Sequence, residues 1–273
     1  MKIKKVTKKS KDGVVFIDKT LYRPRGKSIK RSKRMYKTTE KQQKINARRA
    51  ERKNLEMIHN NFEGGIFLTL TFEGDIPGDL RKVINNFLRR LRYKYDSCGG
   101  KLKYIGAVEF KECRPHLHIV INKNADMEHM DKKELEDYIK KIWKHGGIIR
   151  IQPLVRHGYY KNLVEYMVKE ISEVFNDEHN PFGCRCIHSK GLELPEAETE
   201  IIDGDFNNIC DIPDVEIIDG EEYELIWESQ YTGRNELNGS YYVTYALKPT
   251  ARALQRRRKR KTIKERTFNR IRA

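Results

Sequence analysis

Tyr104-Ile105-Gly106-Ala107-Val108-Glu109-Phe110 and His116-Leu117-His118-Ile119-Val120-Ile121-Asn122, joined by Lys111-Glu112-Cys113-Arg114-Pro115, read as two β-strands and a turn. So short a connection pairs neighbouring strands antiparallel, which makes the segment a hairpin. Before it, Ile66-Phe67-Leu68-Thr69-Leu70-Thr71 is short and β-rich, bounded by Gly64-Gly65 and by Gly74 with Pro77, and predicts another strand. Between the two, residues 79–95 place Leu80, Val83, Ile84, Phe87, Leu88 and Leu91 at helical spacing, with Arg and Lys on the other face. After the hairpin, residues 132–143 predict a helix broken by Gly146-Gly147, and residues 148–154 predict a fourth strand. Gly158 opens a further helix to about Phe175. The order βαββαβ plus a helix predicts an α+β fold of the ferredoxin type, a central antiparallel sheet with helices packed on one face.

The charge is strongly segregated. The chain has 273 residues and a formal net charge of +17, with 38% hydrophobic residues and a mean hydropathy of −0.79. So little apolar material predicts that part of the chain is extended. Residues 1–60 hold about 21 basic and about 5 acidic side chains, and residues 248–273 about 12 and about 1. From Glu193 to Tyr231 there are about 14 acidic residues and no Lys or Arg. The expected organisation is a basic N-terminal arm at 1–60, a catalytic domain at 61–192, an acidic region at 193–247 and a basic tail at 248–273. The arms read as polyanion binders, the alternative being solvated tails. The acidic stretch reads as a flexible solvated insert or as an intramolecular shield for the basic surface. No run reaches membrane-spanning length, no signal peptide is expected, and five irregularly spaced cysteines suit a reducing cytoplasm.

His116 and His118, two apart in a strand, share one face, while Leu117 and Ile119 point to the other, toward the helices. An H-x-H pair alone is also a common surface pattern. Glu109 lies opposite them across the hairpin, on the same face as Ala107 and Ile105. Two imidazoles and a carboxylate suit Mg²⁺ or Mn²⁺ holding a phosphate; the alternative for Glu109 is a surface carboxylate paired with a lysine. On the last helix Tyr166 and Lys169, three apart, point together. A nearby cation favours the phenolate, so this pair reads as a nucleophile with charge support, although tyrosine in an amphipathic helix is usually core.

Taken together these segments resemble the rolling-circle replication initiators of the HUH endonuclease superfamily, of the phage and plasmid Rep type. Phe67-Leu68-Thr69-Leu70-Thr71-Phe72 resembles their first motif and Pro115-His116-Leu117-His118-Ile119-Val120 the second. Glu165-Tyr166-Met167-Val168-Lys169-Glu170 resembles the third, and Ser189-Lys190-Gly191-Leu192 a segment that often follows. The resemblance spans residues 61–192. It implies an RRM-like HUH domain with Glu109, His116 and His118 as ligands of Mg²⁺ or Mn²⁺ and Tyr166 as nucleophile. Tyr166 would nick single-stranded origin DNA through a 5′-phosphotyrosine and leave a 3′-OH primer, with Lys169 positioning or stabilising charge. Asn162 stands where two-tyrosine relatives carry their second tyrosine, so the single-tyrosine type is expected, with Tyr159 and Tyr160 as possible accessory phenols. Further DNA contacts are expected from Arg89, Arg92, Arg114 and Lys190. The implied partners are a host DNA polymerase and helicase, in the cytoplasm of a phage's or plasmid's host; the oligomeric state stays open. The rival readings are an HUH transposase or relaxase, and a non-catalytic nucleic-acid-binding protein whose sheet would stack bases.

Overall fold

A computed structural model of the chain describes residues 1–22, 40–74, 78–111, 114–155, 158–161, 163–164, 186–234 and 240–259. Its elements in chain order are β1 (Lys2–Lys9), β2 (Val15–Leu21), α1 (Glu40–Asn61), β3 (Ile66–Thr71), α2 (Leu80–Ser97), β4 (Tyr104–Lys111) and β5 (Arg114–Ile121). They continue with α3 (Ala125–Glu128), α4 (Lys132–Trp143), β6 (Ile149–Pro153), β7 (Ile187–His188), β8 (Ala197–Asp203) and α5 (Phe206–Cys210). The last are β9 (Val215–Ile218), β10 (Glu221–Leu225), β11 (Tyr231–Arg234) and β12 (Tyr241–Pro249). The chain divides into two units, one of residues 35–194 and one combining 1–34 with 195–273.

The first of these is α+β. Its sheet runs β6-β3-β5-β4-β7, antiparallel throughout. The first four strands have the ferredoxin-like order expected from βαββαβ, and β7 adds an edge beside β4. Ile66, Leu68 and Leu70 of β3 and Leu117, Ile119 and Ile121 of β5 form one face, packed with Phe87 and Leu91 of α2 and Ile139 and Trp143 of α4. Local chemistry fixes the helix ends. Asp79 accepts from the Lys82 amide to start α2, and Asp131 and Glu134 form a reciprocal capping box on α4. The last carbonyls of α4, at Ile142 and Trp143, accept from the Arg90 guanidinium. Gly147, at φ 72°, leads into β6 where a Cβ would fall 2.5 Å from the Thr71 carbonyl oxygen, so only glycine fits.

The other face departs from expectation. Strand alternation leaves it as the open side of the sheet, yet Phe67, Ile105, Ala107 and Val120 on it are buried. Leu55, Met57 and Ile58 of α1, with Phe62, are buried too and lie outside the first core. In α1 residues 54–60 are buried without interruption, so α1 is core material of this unit rather than part of a basic arm.

The N-terminal strands overturn the arm more directly. In the second unit β8-β1-β2-β12-β10-β9 form an antiparallel sheet, with β11 pairing β12. Ile3, Val15, Ile17, Ile209, Tyr223, Leu225, Val243, Tyr245 and Leu247 make its core. The acidic region is likewise folded, as β8 to β12, and is not a flexible insert. Its carboxylates meet basic side chains from both chain ends: Lys5 with Glu216 at 2.6 Å, Lys9 with Asp219 at 2.9 Å, Lys248 with Glu224 at 3.1 Å, and Arg257 with Glu221. Residues 251–259 of the basic tail are helical, and the rest of the tail lies outside the described residues. Exposed pairs of this kind contribute at most about 1 kcal/mol each, so the apolar core, not the charge pairing, holds the unit. The sequence reading missed this because the apolar positions of β1 are separated by lysines and its partner strands lie about 200 residues away.

A truncation of residues 1–50 would therefore remove two strands and most of α1 rather than a tail. Correspondingly, Ile17→Ala is expected to cost about 2–5 kcal/mol, read by denaturant unfolding of the full chain; a solvated arm would show no change.

Candidate active site

Strand register builds the site. Glu109 pairs with His116 and Ala107 with His118 across β4 and β5, while Thr71 and Thr69 stand opposite the same two histidines on β3. Six side chains thus occupy two adjacent rows on one sheet face, the face turned away from α2 and α4. Phe67 lies in the next row, and its ring stacks with that of His118 at 6.0 Å between centroids.

His118 and Glu109 are both buried, and their Nε2 and Oε2 atoms are 2.8 Å apart. Burial holds the imidazole below its ordinary pKa, against the opposing pull of Glu109, so His118 is neutral at pH 7. A carboxylate can only accept, so Nε2 carries the proton and donates to Glu109. Nδ1 then accepts from the Thr69 hydroxyl, 3.2 Å away. The row fixes both the ring's tautomer and its orientation. His116 differs: its Nδ1 is buried and has no hydrogen-bond partner among the described residues. The two imidazoles lie 6.2 Å apart at a tilt of 42°. Ala107 leaves the space beside His118 small-walled.

Among the described residues no three His, Cys, Asp or Glu side chains are grouped to hold a metal ion as they stand. The direct Glu109–His118 hydrogen bond occupies one donor atom of each. The donor set itself still fits a divalent ion: two imidazole nitrogens, one of them orphaned in a buried setting, and one carboxylate, with Nε2 needing to give up its proton to serve.

The remaining predicted residues are distributed as follows. Tyr166 and Lys169 lie outside the described residues, as does the Arg114 side chain; the helix expected from Gly158 is described only at 161 and 163–164. Tyr159 and Tyr160 stack on His59 of α1, with centroids 6.2 and 4.8 Å away, and the Tyr160 hydroxyl donates to the Val155 carbonyl at 2.6 Å. Lys190 is exposed next to Ser189, whose Oγ accepts from the Tyr104 amide at 3.1 Å and whose amide donates back to the Tyr104 carbonyl at 2.9 Å. That exchange ties the Ser-Lys-Gly segment to the edge of the sheet. Arg89 and Arg92 are exposed on α2, which packs on the opposite sheet face, so the structure does not bring them to the histidines. Thr69 was missed as a site residue. Its signal was available, since alternation within 66–71 sets Phe67, Thr69 and Thr71 apart from the aliphatic face.

This arrangement of strands and side chains falls within one recognised stretch of sequence. Residues 65–174 match the family model of replication-associated protein ORF2/gene-2 protein. The matched stretch runs from β3 past Tyr166 and includes Glu109, His116 and His118. A replication-associated protein is consistent with a rolling-circle replication initiator and with DNA at an origin as partner. No curated protein and no solved structure matches the chain. Among the described residues no helix is long and apolar enough to cross a membrane.

Proposed function

We propose that the chain is a rolling-circle replication initiator of the HUH type, a divalent-metal-dependent endonuclease that nicks single-stranded origin DNA. The observation that supports this most is the row of Glu109, His116 and His118 on one sheet face, inside the stretch that matches the replication-associated family.

In this reading Glu109, His116 and His118 hold Mg²⁺ or Mn²⁺. When bound, the ion supplies positive charge to the scissile phosphate and so favours attack on phosphorus. Thr69 keeps the His118 ring in place, as it does through Nδ1. Tyr166 provides the nucleophile. Its phenolic oxygen bonds to phosphorus as the bond from phosphorus to the 3′ oxygen breaks; the phenol proton is lost and the released 3′ oxygen gains one. The product is a 5′-phosphotyrosine and a free 3′-OH for a host polymerase. Because one phosphodiester replaces another, a later attack by a 3′-OH on the phosphotyrosine rejoins strands without ATP. Lys169, one helical turn from Tyr166, stabilises the phenolate.

Nicking of circular single-stranded origin DNA is the test: cleavage with Mn²⁺ that EDTA abolishes supports the reading, and cleavage indifferent to EDTA removes the metal from it. His116→Ala is expected to lose most nicking at low Mn²⁺ and regain part of it as Mn²⁺ is raised, because a weakened site can still be filled by mass action. An unaltered Mn²⁺ dependence in that variant would remove His116 from the ligand set.

A further inference from the structure

A groove of about 660 Å³ lies between α2 and the C-terminal end of α4, on the outer surface of the helical layer. Arg89, Tyr93 and Lys94 line it from α2, and Tyr138, Lys141 and Lys144 from α4 and its cap. No acidic side chain is among its lining residues. Arg90 also borders it, but its guanidinium is committed to the carbonyls that end α4. Four cations remain, and none of them forms an ion pair among the described residues. Burial and then the neighbouring Arg89 charge push the Arg90 guanidinium down from its ordinary pKa, a sign of uncompensated positive charge. Tyr93 is 72% exposed, a large ring left in water between Arg89 and Lys94 in the sequence.

From this we propose that the groove between α2 and α4 is a second binding site for single-stranded DNA, separate from the face that carries Glu109, His116 and His118. The four cations meet backbone phosphates, and Tyr93 offers a ring on which a base stacks. An exposed aromatic among cations favours a single strand, whose bases are free to stack, over a duplex, whose bases are paired away. The site lies on the opposite side of the sheet from the histidine row, so it holds DNA outside the segment that would be cut. The proposal goes beyond the nicking reaction and needs no cleavage.

The test uses the full chain and the fluorescence anisotropy of a dT homopolymer of about 30 nucleotides, read without divalent metal. Lys94→Glu/Lys141→Glu, one change on each helix, is expected to weaken binding about tenfold or more and to make its salt dependence shallower. Tyr93→Ala should weaken it about tenfold without altering the salt slope. Lys132→Glu/Lys133→Glu, at the far end of α4, makes the same change in net charge outside the groove and should have a much smaller effect. All four lysines and Tyr93 are exposed, and an unchanged thermal midpoint confirms folding. Equal losses in the two double variants would reduce the effect to net charge and overturn the proposal. No loss on the homopolymer, or a loss on duplex DNA as large as on the single strand, would overturn it as well. Because no cleavage is read, these results stand apart from the fate of the nicking reaction.

Discussion

Tyr166→Phe is expected to lower nicking of origin DNA by about 10⁴-fold or more while leaving DNA affinity within about twofold. The substitution removes one oxygen atom. Binding draws on many cations spread over the chain, so affinity hardly depends on a single phenol. Transesterification depends on it wholly, since no bond to phosphorus forms without the oxygen. The measurement is the rate of single-strand cleavage beside an anisotropy titration of the same oligonucleotide. Comparable cleavage by the variant would redirect attention to Tyr159, because the Tyr160 hydroxyl is engaged with the Val155 carbonyl.

Changes at the Glu109–His118 pair should affect folding and chemistry separately. His118→Ala is expected to destabilise by about 3–5 kcal/mol, because it leaves the Glu109 carboxylate, 5% exposed, without its imidazole donor. Glu109→Gln keeps a carbonyl oxygen to accept from Nε2 and should stay within about 1 kcal/mol of the parent. It removes the carboxylate's charge, however, so its nicking should fall to near background. Denaturant unfolding and cleavage rates on the two variants decide between roles. If Glu109→Gln nicks at the parental rate, the pair is structural and the ligand assignment is wrong.

The parts of the fold that were legible in sequence are those whose contacts are local in pattern. The strand at 66–71 and the helix at 132–143 coincide with β3 and α4, and the β4–β5 hairpin pairs Glu109 with His116 as alternation requires. Capping residues and a short turn announce such elements directly. The second unit could not be read this way. Its β1 carries lysines at Lys2, Lys4, Lys5, Lys8 and Lys9, which resemble a disordered basic segment until β8 supplies Glu200 and β9 supplies Glu216 beside Lys5. Pairing partners so distant in the chain leave no periodic trace. The burial of the histidine face was hidden for a related reason. The α1 sequence is dominated by Lys, Arg and Asn, and only Leu55, Met57 and Ile58 hint that it is core. The pairing of Glu109 with His118, one row off the directly opposite His116, is a matter of rotamer and was beyond any reading of strand alternation.

The most direct measurement is the covalent product. The full-length protein, incubated with circular single-stranded DNA bearing the origin and Mn²⁺, then digested with nuclease and protease, should yield a peptide spanning residue 166 with nucleotide attached through phosphorus to the tyrosine oxygen. That peptide should be absent when EDTA is present and absent from Tyr166→Phe. Cleaved DNA with no protein–DNA adduct, or an adduct mapped to any other residue, would contradict the account.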